Sequence, residues 1–120
     1  MGAGRSEMAR IVFGLDPHHA GSVRVKGRQR PKASPRTQIN AGMGFVTEDR
    51  RNEGLLMDPS VVGNIGLAVL TRYATRLGLV KQGSLRQAAL GAGERLNLKS
   101  SKPDRQPVRS LSGGNQQKAV

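Results

Sequence analysis

The sequence predicts an α/β fold followed by an α-helical subdomain, and three observations carry this prediction. First, two short segments have the character of strands: Val23 and Val25 alternate with polar residues, and residues 43–46 form an apolar run. Second, apolar residues recur at helical spacing in other segments of the first half. Third, from Pro59 onward the apolar residues recur at helical spacing alone.

Two helices are predicted in the first part of the chain. The first extends from about Arg5 to Phe13, where apolar residues share one helical face after a glycine-containing loop. The second is short, because Ser34 is suited to cap it, Pro35 fits its first helical position and Gly42 follows its end. Both helices belong to the predicted α/β part.

The two predicted strands differ in their surroundings. The strand that contains Val23 and Val25 should be half-exposed and should close at a turn at Gly27. Residues 43–46 predict a buried strand, and its apolar part ends abruptly in a charged run at residues 47–51. Open α/β sheets bind ligands at the carboxyl ends of their strands. The charged run is therefore a candidate binding segment.

Two amphipathic segments predict the helical subdomain. The apolar stripe of the first comprises Val62, Ile65, Val69 and Leu70. The apolar stripe of the second comprises Leu85, Ala89, Leu90 and Leu96. A polar connector with two prolines follows at residues 99–110, and Ser112 then opens a last helix.

Composition narrows the functional classes. The absence of cysteine excludes a disulfide framework and suits a reducing compartment such as the cytoplasm. The longest mostly apolar stretch, residues 61–70, is too short to span a bilayer. The net charge of +12 leaves an anionic partner open, since no acidic residue occurs between Asp16 and Glu48. A small basic nucleic-acid-binding module is therefore the alternative function, although aromatic platforms for bases are not evident.

The segment LSGGNQQ at residues 111–117 is the most informative motif. Ser112 is a good N-cap, but each glycine that follows costs about 1 kcal/mol relative to alanine inside a helix. The absence of side chains at Gly113 and Gly114 lets another molecule approach the N–H groups of the first turn. These groups and the helix dipole suit a phosphate.

The string LSGGNQQK resembles the signature motif of ABC-type ATPases, in the variant found in monosaccharide importers of the ribose, galactose and xylose type. GFVTEDRRNEGL is similar to the segment that replaces their Q-loop, and SVVGNIGLA to the start of their helical subdomain. The resemblance covers nearly the whole chain and implies a partial P-loop NTPase fold. In this family the signature contacts the terminal phosphate of an ATP held mainly by the opposite nucleotide-binding domain. That role is implied for Ser112, Gly113, Gly114, Asn115 and Gln116.

The string GAGRSE resembles the degenerate phosphate loop in the C-terminal half of these two-domain proteins. Arg5 stands in place of the usual lysine, Ser6 keeps a hydroxyl for Mg²⁺, and an ordinary turn and helix start is the alternative. Glu48 falls where most ABC ATPases carry a Mg²⁺-sensing glutamine; alternatively, it pairs with Arg50 or Arg51. The nucleotide-binding residues implied in the loop are Gly2, Gly4, Arg5, Ser6 and Glu7.

The resemblance implies an ATP-binding component of a solute importer, with ATP and Mg²⁺ as cofactors. The implied partners are the N-terminal nucleotide-binding domain of the same subunit, membrane permease subunits and, indirectly, a periplasmic or extracellular solute-binding protein, and nucleic acid is not expected. The implied location is the cytoplasmic side of the membrane. The expected parts are an ATP-binding core at 1–58, a helical subdomain at 59–110 and the signature at 111–120.

No catalytic residue is assigned, because the family places its Walker B aspartate and catalytic glutamate after the signature. We therefore expect this chain to be a piece of the second nucleotide-binding domain of a tandem subunit. Whether the chain alone is an enzyme stays open, although the family implies a transport-coupled ATPase.

Overall fold

The computed structural model describes residues 4–30 and 33–120. Within these ranges the chain has six α-helices and one small two-stranded sheet, an arrangement that does not conflict with the predicted class. The chain forms two compact units, Met1–Glu48 and Asp49–Val120. The predicted division into 1–58, 59–110 and 111–120 stays a prediction.

The two helices of the first unit form where the sequence predicts them. Helix α1 spans Arg5–Phe13 and ends at Gly14, whose φ of 84° lies in the left-handed region that favours glycine. Helix α2 spans Pro35–Asn40, with proline at its start. Ser34 caps α2 through a capping box, in which its hydroxyl accepts from the Thr37 N–H and the Thr37 hydroxyl accepts from the Ser34 N–H.

The sheet of the first unit is a tight hairpin. Strand β1 at Arg24–Val25 pairs antiparallel with strand β2 at Arg28–Gln29. Lys26 and Gly27 both have positive φ, 51° and 75°, as a two-residue hairpin turn that matches the twist of its strands requires. The predicted strand and its turn at Gly27 are confirmed.

The predicted buried strand at residues 43–46 is wrong. This segment has no regular secondary structure and pairs with no strand in the described ranges, and Val46 is 75% exposed. The physical reason is that the sheet is limited to the β1–β2 hairpin, so the apolar run has no strand edge to bond to. Phe45 is nevertheless held, because its ring stacks on Phe13 with centroids 5.2 Å apart.

Polar and backbone contacts join α1 to α2. Gln38 of α2 is fully buried, and its Nε2 donates to the Val12 carbonyl at 2.6 Å. A Cβ on Gly14 would lie 2.7 Å from backbone atoms of Ala33 and Ser34, so only glycine allows this approach. The C-terminal end of α1 is therefore the part that packs against α2.

The second unit is built from helices and tight turns. A wide π-helical turn at Arg50–Gly54 opens it. The helices are α3 at Val61–Leu67, α4 at Leu70–Tyr73, α5 at Gln82–Arg95 and α6 at Gly113–Ala119. A 3₁₀ turn at Val108–Ser110 precedes α6. No helix in residues 4–30 and 33–120 is long and apolar enough to cross a membrane.

The core of the second unit joins distant segments. Its buried residues are Leu55, Val61, Val108, Leu111 and Ala119. Backbone bonds support this cluster, because the Val61 N–H donates to the Gln106 carbonyl and the Val108 N–H donates to the Pro59 carbonyl, both at 3.1 Å. The polar connector before the signature is thus tied to the start of α3, and its one apolar residue, Val108, is fully buried.

The predicted apolar stripes are partly correct. Leu85 and Ala89 of α5 are buried as predicted, and Gly66 of α3 lets the Leu85 side chain approach closely. Leu96 is 54% exposed, because α5 ends at Arg95 and the chain then turns. The buried positions of α3 are Val61, Asn64 and Gly66, whereas Val62, Ile65, Val69 and Leu70 are half-buried.

Candidate functional site at the start of helix α6

Helix α6 begins with an exposed turn that carries no bulky side chain. Ser112 occupies the N-cap position as predicted, but its hydroxyl does not cap the backbone. The hydroxyl instead accepts from Asn115 Nδ2 at 3.3 Å. Ser112, Gly113 and Gly114 are exposed. The backbone N–H groups at this helix start therefore face outward without the serine cap that the sequence suggests.

Four side chains hold this turn in place. Leu111 and Gln116 are buried on either side of the glycines, at 8% and 4% exposure. Asn115 Oδ1 accepts from the Lys99 N–H at 3.0 Å, and Lys118 Nζ donates to the Asn97 carbonyl at 2.9 Å. Helix α6 is therefore fixed to the segment that follows α5.

A buried glutamine connects the turn to an arginine far away in the sequence. Arg50 Nε donates to Gln116 Oε1 at 3.0 Å, and Gln116 Nε2 donates to the Val108 carbonyl at 3.2 Å. The same arginine reaches the first glycine, since a Cβ on Gly113 would lie 3.2 Å from Arg50 Nη2. The sequence indicated the charged run that contains Arg50 as a candidate binding segment. It could not indicate the bond from Arg50 to Gln116, because residues 66 positions apart show no periodic pattern.

Altered carboxyl pKa values in the described ranges arise from hydrogen bonds of structural type. The hydrogen bond from the Asn52 side chain holds the pKa of Asp49 below its ordinary value, and the two bonds from Asn52 to Asp49 hold the turn at Arg50–Gly54. The Arg86 guanidinium lowers the pKa of Asp104, and the Arg10 guanidinium lowers that of Asp16. Each of these carboxylates is thereby kept ionised and suited to hold a turn or a pair together.

The residues of the predicted phosphate loop lie at the start of α1. Gly4 adopts the left-handed conformation, φ 66°, and makes no side-chain cap. Arg5 and Glu7 are exposed in the first turn, and Ser6 is half-buried. Gly2 lies outside the described residues. These residues belong to the first unit, whereas residues 112–116 belong to the second.

The remaining predicted positions are simple to place. Glu48 is exposed and makes no ion pair within residues 4–30 and 33–120, so its predicted pairing with Arg50 or Arg51 is absent there. Across the same part of the chain, no group of three histidine, aspartate or glutamate side chains could hold a metal ion. A Mg²⁺ role for the Ser6 hydroxyl stays a prediction.

The chain is similar over its whole length to sugar-import ATP-binding proteins. It is 46% identical over 120 residues to the ribose import ATP-binding protein RbsA 1 of Streptomyces avermitilis and 44% identical to that of Rubrobacter xylanophilus. It is 39% identical to the ribose import ATP-binding protein RbsA of Bacillus licheniformis. The chain spans about a quarter of the length of these relatives, 23%, 24% and 24%.

No protein-family model matches the chain. The relatives nevertheless agree with one another in type, and each aligns with all 120 residues, including the exposed turn of α6. The resemblance seen in LSGGNQQK is thus confirmed. The chain belongs to the family of ATP-binding proteins of ABC-type sugar importers.

Proposed function

We propose that this chain works as part of the ATP-binding component of an ABC-type importer for a monosaccharide or a related solute. Within a partial P-loop NTPase fold, residues 112–116 form the signature and complete an ATP site that another nucleotide-binding domain mainly holds. The observation that carries the proposal is the exposed turn at Gly113 and Gly114, in a chain 46% identical to a ribose import ATP-binding protein.

The start of α6 suits a phosphate in shape and charge. A Cβ on Gly114 would meet nothing within 4 Å, so the space before this residue is open to a ligand. The first turn of α6 contains no acidic residue that would repel an anion. Helix starts carry unpaired N–H groups and a partial positive charge. The residues present therefore fit the terminal phosphate of a nucleotide.

Residues at this turn divide the work of binding. When bound, ATP with Mg²⁺ would supply the bond whose hydrolysis drives transport. The backbone N–H groups of Gly113 and Gly114 would donate to phosphate oxygens, and the Ser112 hydroxyl and the Asn115 amide would add neutral donors beside them. Gln116 holds the turn through its bond to the Val108 carbonyl. Fixed donors of this kind stabilise charge that develops on transferred phosphoryl groups.

The start of α1 serves a weaker site in this proposal. Arg5 replaces the lysine of an intact phosphate loop with a broad guanidinium, and Glu7 places a negative charge beside the anion. Ser6 offers its hydroxyl to Mg²⁺, and Glu48 takes the place of the Q-loop glutamine. Gly2 and Gly4 complete the degenerate loop. The chain then belongs to the C-terminal half of a tandem subunit, whose N-terminal domain supplies the intact loop.

Partners and location follow from this assignment. The signature requires a second nucleotide-binding domain, which the proposal places in the same subunit. Coupling to transport requires membrane permease subunits and, through them, a solute-binding protein outside the cytoplasm. The component therefore works on the cytoplasmic side of the membrane without crossing it.

ATP hydrolysis by the assembled transporter tests the proposal. We expect Gly114→Asp to lower the turnover about 10²-fold, because a carboxylate would occupy the phosphate position. The open space at Gly114 and the helix dipole both tolerate an aspartate there, so folding should not suffer. Gly83→Asp is the matched control, since Gly83 is exposed in the first turn of α5 and a Cβ there meets nothing within 4 Å. Equal turnover of the two variants would contradict the proposal.

A further inference from the structure

The turn that carries Arg50 is held by its own hydrogen bonds. The Asn52 N–H donates to Asp49 Oδ1 at 3.1 Å, and Asn52 Nδ2 donates to Asp49 Oδ2 at 2.7 Å. The Gly54 N–H closes the wide turn on the Asp49 carbonyl at 3.2 Å. The backbone of Arg50 is therefore fixed, and its side chain leaves the turn from a defined place.

Arg50 meets a glutamine that has no freedom to move away. Gln116 is 4% exposed, and both ends of its side-chain amide are occupied. Its oxygen accepts from Arg50 Nε at 3.0 Å, and its nitrogen donates to the carbonyl of the fully buried Val108 at 3.2 Å. A hydrogen bond with a charged donor is stronger than a neutral one. The bond therefore ties the start of α6 to the turn at Arg50–Gly54.

The far end of the arginine lies against the glycine turn itself. A Cβ on Gly113 would stand 3.2 Å from Nη2, a distance tighter than ordinary van der Waals contact. Gly113 thus makes room for the guanidinium on one side, while Gly114 leaves open space on the other. The arginine brings a positive charge to the exposed glycine turn at the start of α6.

We infer that Arg50 is a positioning residue for the turn at residues 112–114. It acts through Gln116, which ties the start of α6 to the turn at Arg50–Gly54, and it places a cation beside Gly113. This inference rests on the proposed function, because it concerns how the same turn is aimed at phosphate. Donors in such sites must be placed to within about 1 Å, since a misplacement of that size can cost 10²-fold in rate.

The test uses the full transporter with four sets of changes: Arg50→Met, Gln116→Met, both together, and Arg72→Met. Methionine keeps part of the arginine stem but removes every donor. Arg72 is the matched control, because it is an exposed arginine of α4, outside the candidate binding segment at residues 47–51, and its removal changes the net charge equally. The readouts are kcat and KM for ATP.

We expect Arg50→Met and Gln116→Met each to lower kcat about tenfold with KM changed less than about threefold, since the opposite domain holds most of the nucleotide. The double variant should resemble the single ones, because the two residues act as a unit. Arg72→Met should stay within about twofold of the unchanged protein. The inference is overturned if Arg50→Met behaves like Arg72→Met, or if the fold loss in kcat of the double variant equals the product of the two single losses.

Two further variants keep the result interpretable. If Gly114→Asp leaves hydrolysis intact, the proposed function itself fails; if Gly114→Asp abolishes it while Arg50→Met does nothing, only the role of Arg50 fails. Should Arg50→Met not fold, Arg50→Lys keeps the charge but cannot place the planar Nε and Nη2 pair. A kcat for Arg50→Lys that equals the unchanged value would then overturn the inference.

Discussion

Two helices of this chain begin at glycines, and their first turns differ in charge. Helix α1 follows Gly4 and carries Arg5 and Glu7 in its first turn, so this turn bears charges of both signs. Helix α6 begins with Gly113 and Gly114 and carries no acidic residue in its first turn. The Glu7 carboxylate would repel an anion at the start of α1, whereas no acidic side chain in the first turn of α6 would do so. Glycine before or in a first turn is therefore not enough to define a phosphate site.

The two helices also differ in where they are held. The contacts between α1 and α2 lie at the C-terminal end of α1. There, Gly14 lies close to the backbone of Ser34, the N-cap of α2, and Gln38 donates to the Val12 carbonyl. The contacts of α6 include its start, through Asn115 and Gln116, and continue to Lys118 and the buried Ala119. A turn that must aim donors at a ligand gains from support close to those donors. The comparison therefore favours α6 as the working site.

A first prediction tests the support of α1, and its effect should be the largest on stability. Gly14→Ala should lower the free energy of local opening of α1 by about 3 kcal/mol, because the added Cβ meets backbone at 2.7 Å and φ is 84°. Gly4→Ala, at φ 66° with open space around it, should cost only about 1 kcal/mol. Amide hydrogen exchange of α1 in the intact subunit measures both. Equal costs would show that α1 is not held at its C-terminal end.

A second prediction tests the support of α6. Val108→Ala should lower the free energy of opening of α6 by about 2 kcal/mol, because Val108 is fully buried beneath the bond to Gln116. Val46→Ala is the matched control, since this valine is 75% exposed and should change stability by less than about 0.5 kcal/mol. The same exchange measurement applies. An unchanged α6 in Val108→Ala would contradict the support described for its start.

Local signals in the sequence predicted most helices, because their causes are local. Ser34, Pro35 and Gly42 specify α2 through capping and φ preferences, and α1 spans the residues that its periodicity indicates. The prediction of a strand at residues 43–46 was wrong because its cause is not local. A strand forms only where a neighbouring strand edge completes its hydrogen bonds. A run of apolar residues does not predict whether such a neighbouring edge is present.

The candidate site also combines features that adjacent residues predict with features that depend on distant contacts. The glycines at 113 and 114 and the helix that follows them could be predicted, because a cap position and a motif are written in adjacent residues. The bond from Arg50 to Gln116 could not, since it joins residues 66 positions apart. The missing serine cap was also beyond prediction, because the Ser112 hydroxyl chooses between the backbone and the Asn115 side chain only in the folded turn.

The difference between the two helix starts is tested most directly by comparing Gly113→Asp with Arg5→Ala in the reconstituted full transporter. Solute uptake and ATP hydrolysis are measured for each variant separately. We predict that Gly113→Asp lowers both rates by about 10²-fold or more, because a carboxylate would stand against the terminal phosphate and also displace Arg50 Nη2. Arg5→Ala should leave turnover within about threefold, since the proposal places Arg5 in the weaker site. Loss of turnover in Arg5→Ala with full turnover in Gly113→Asp would contradict the assignment.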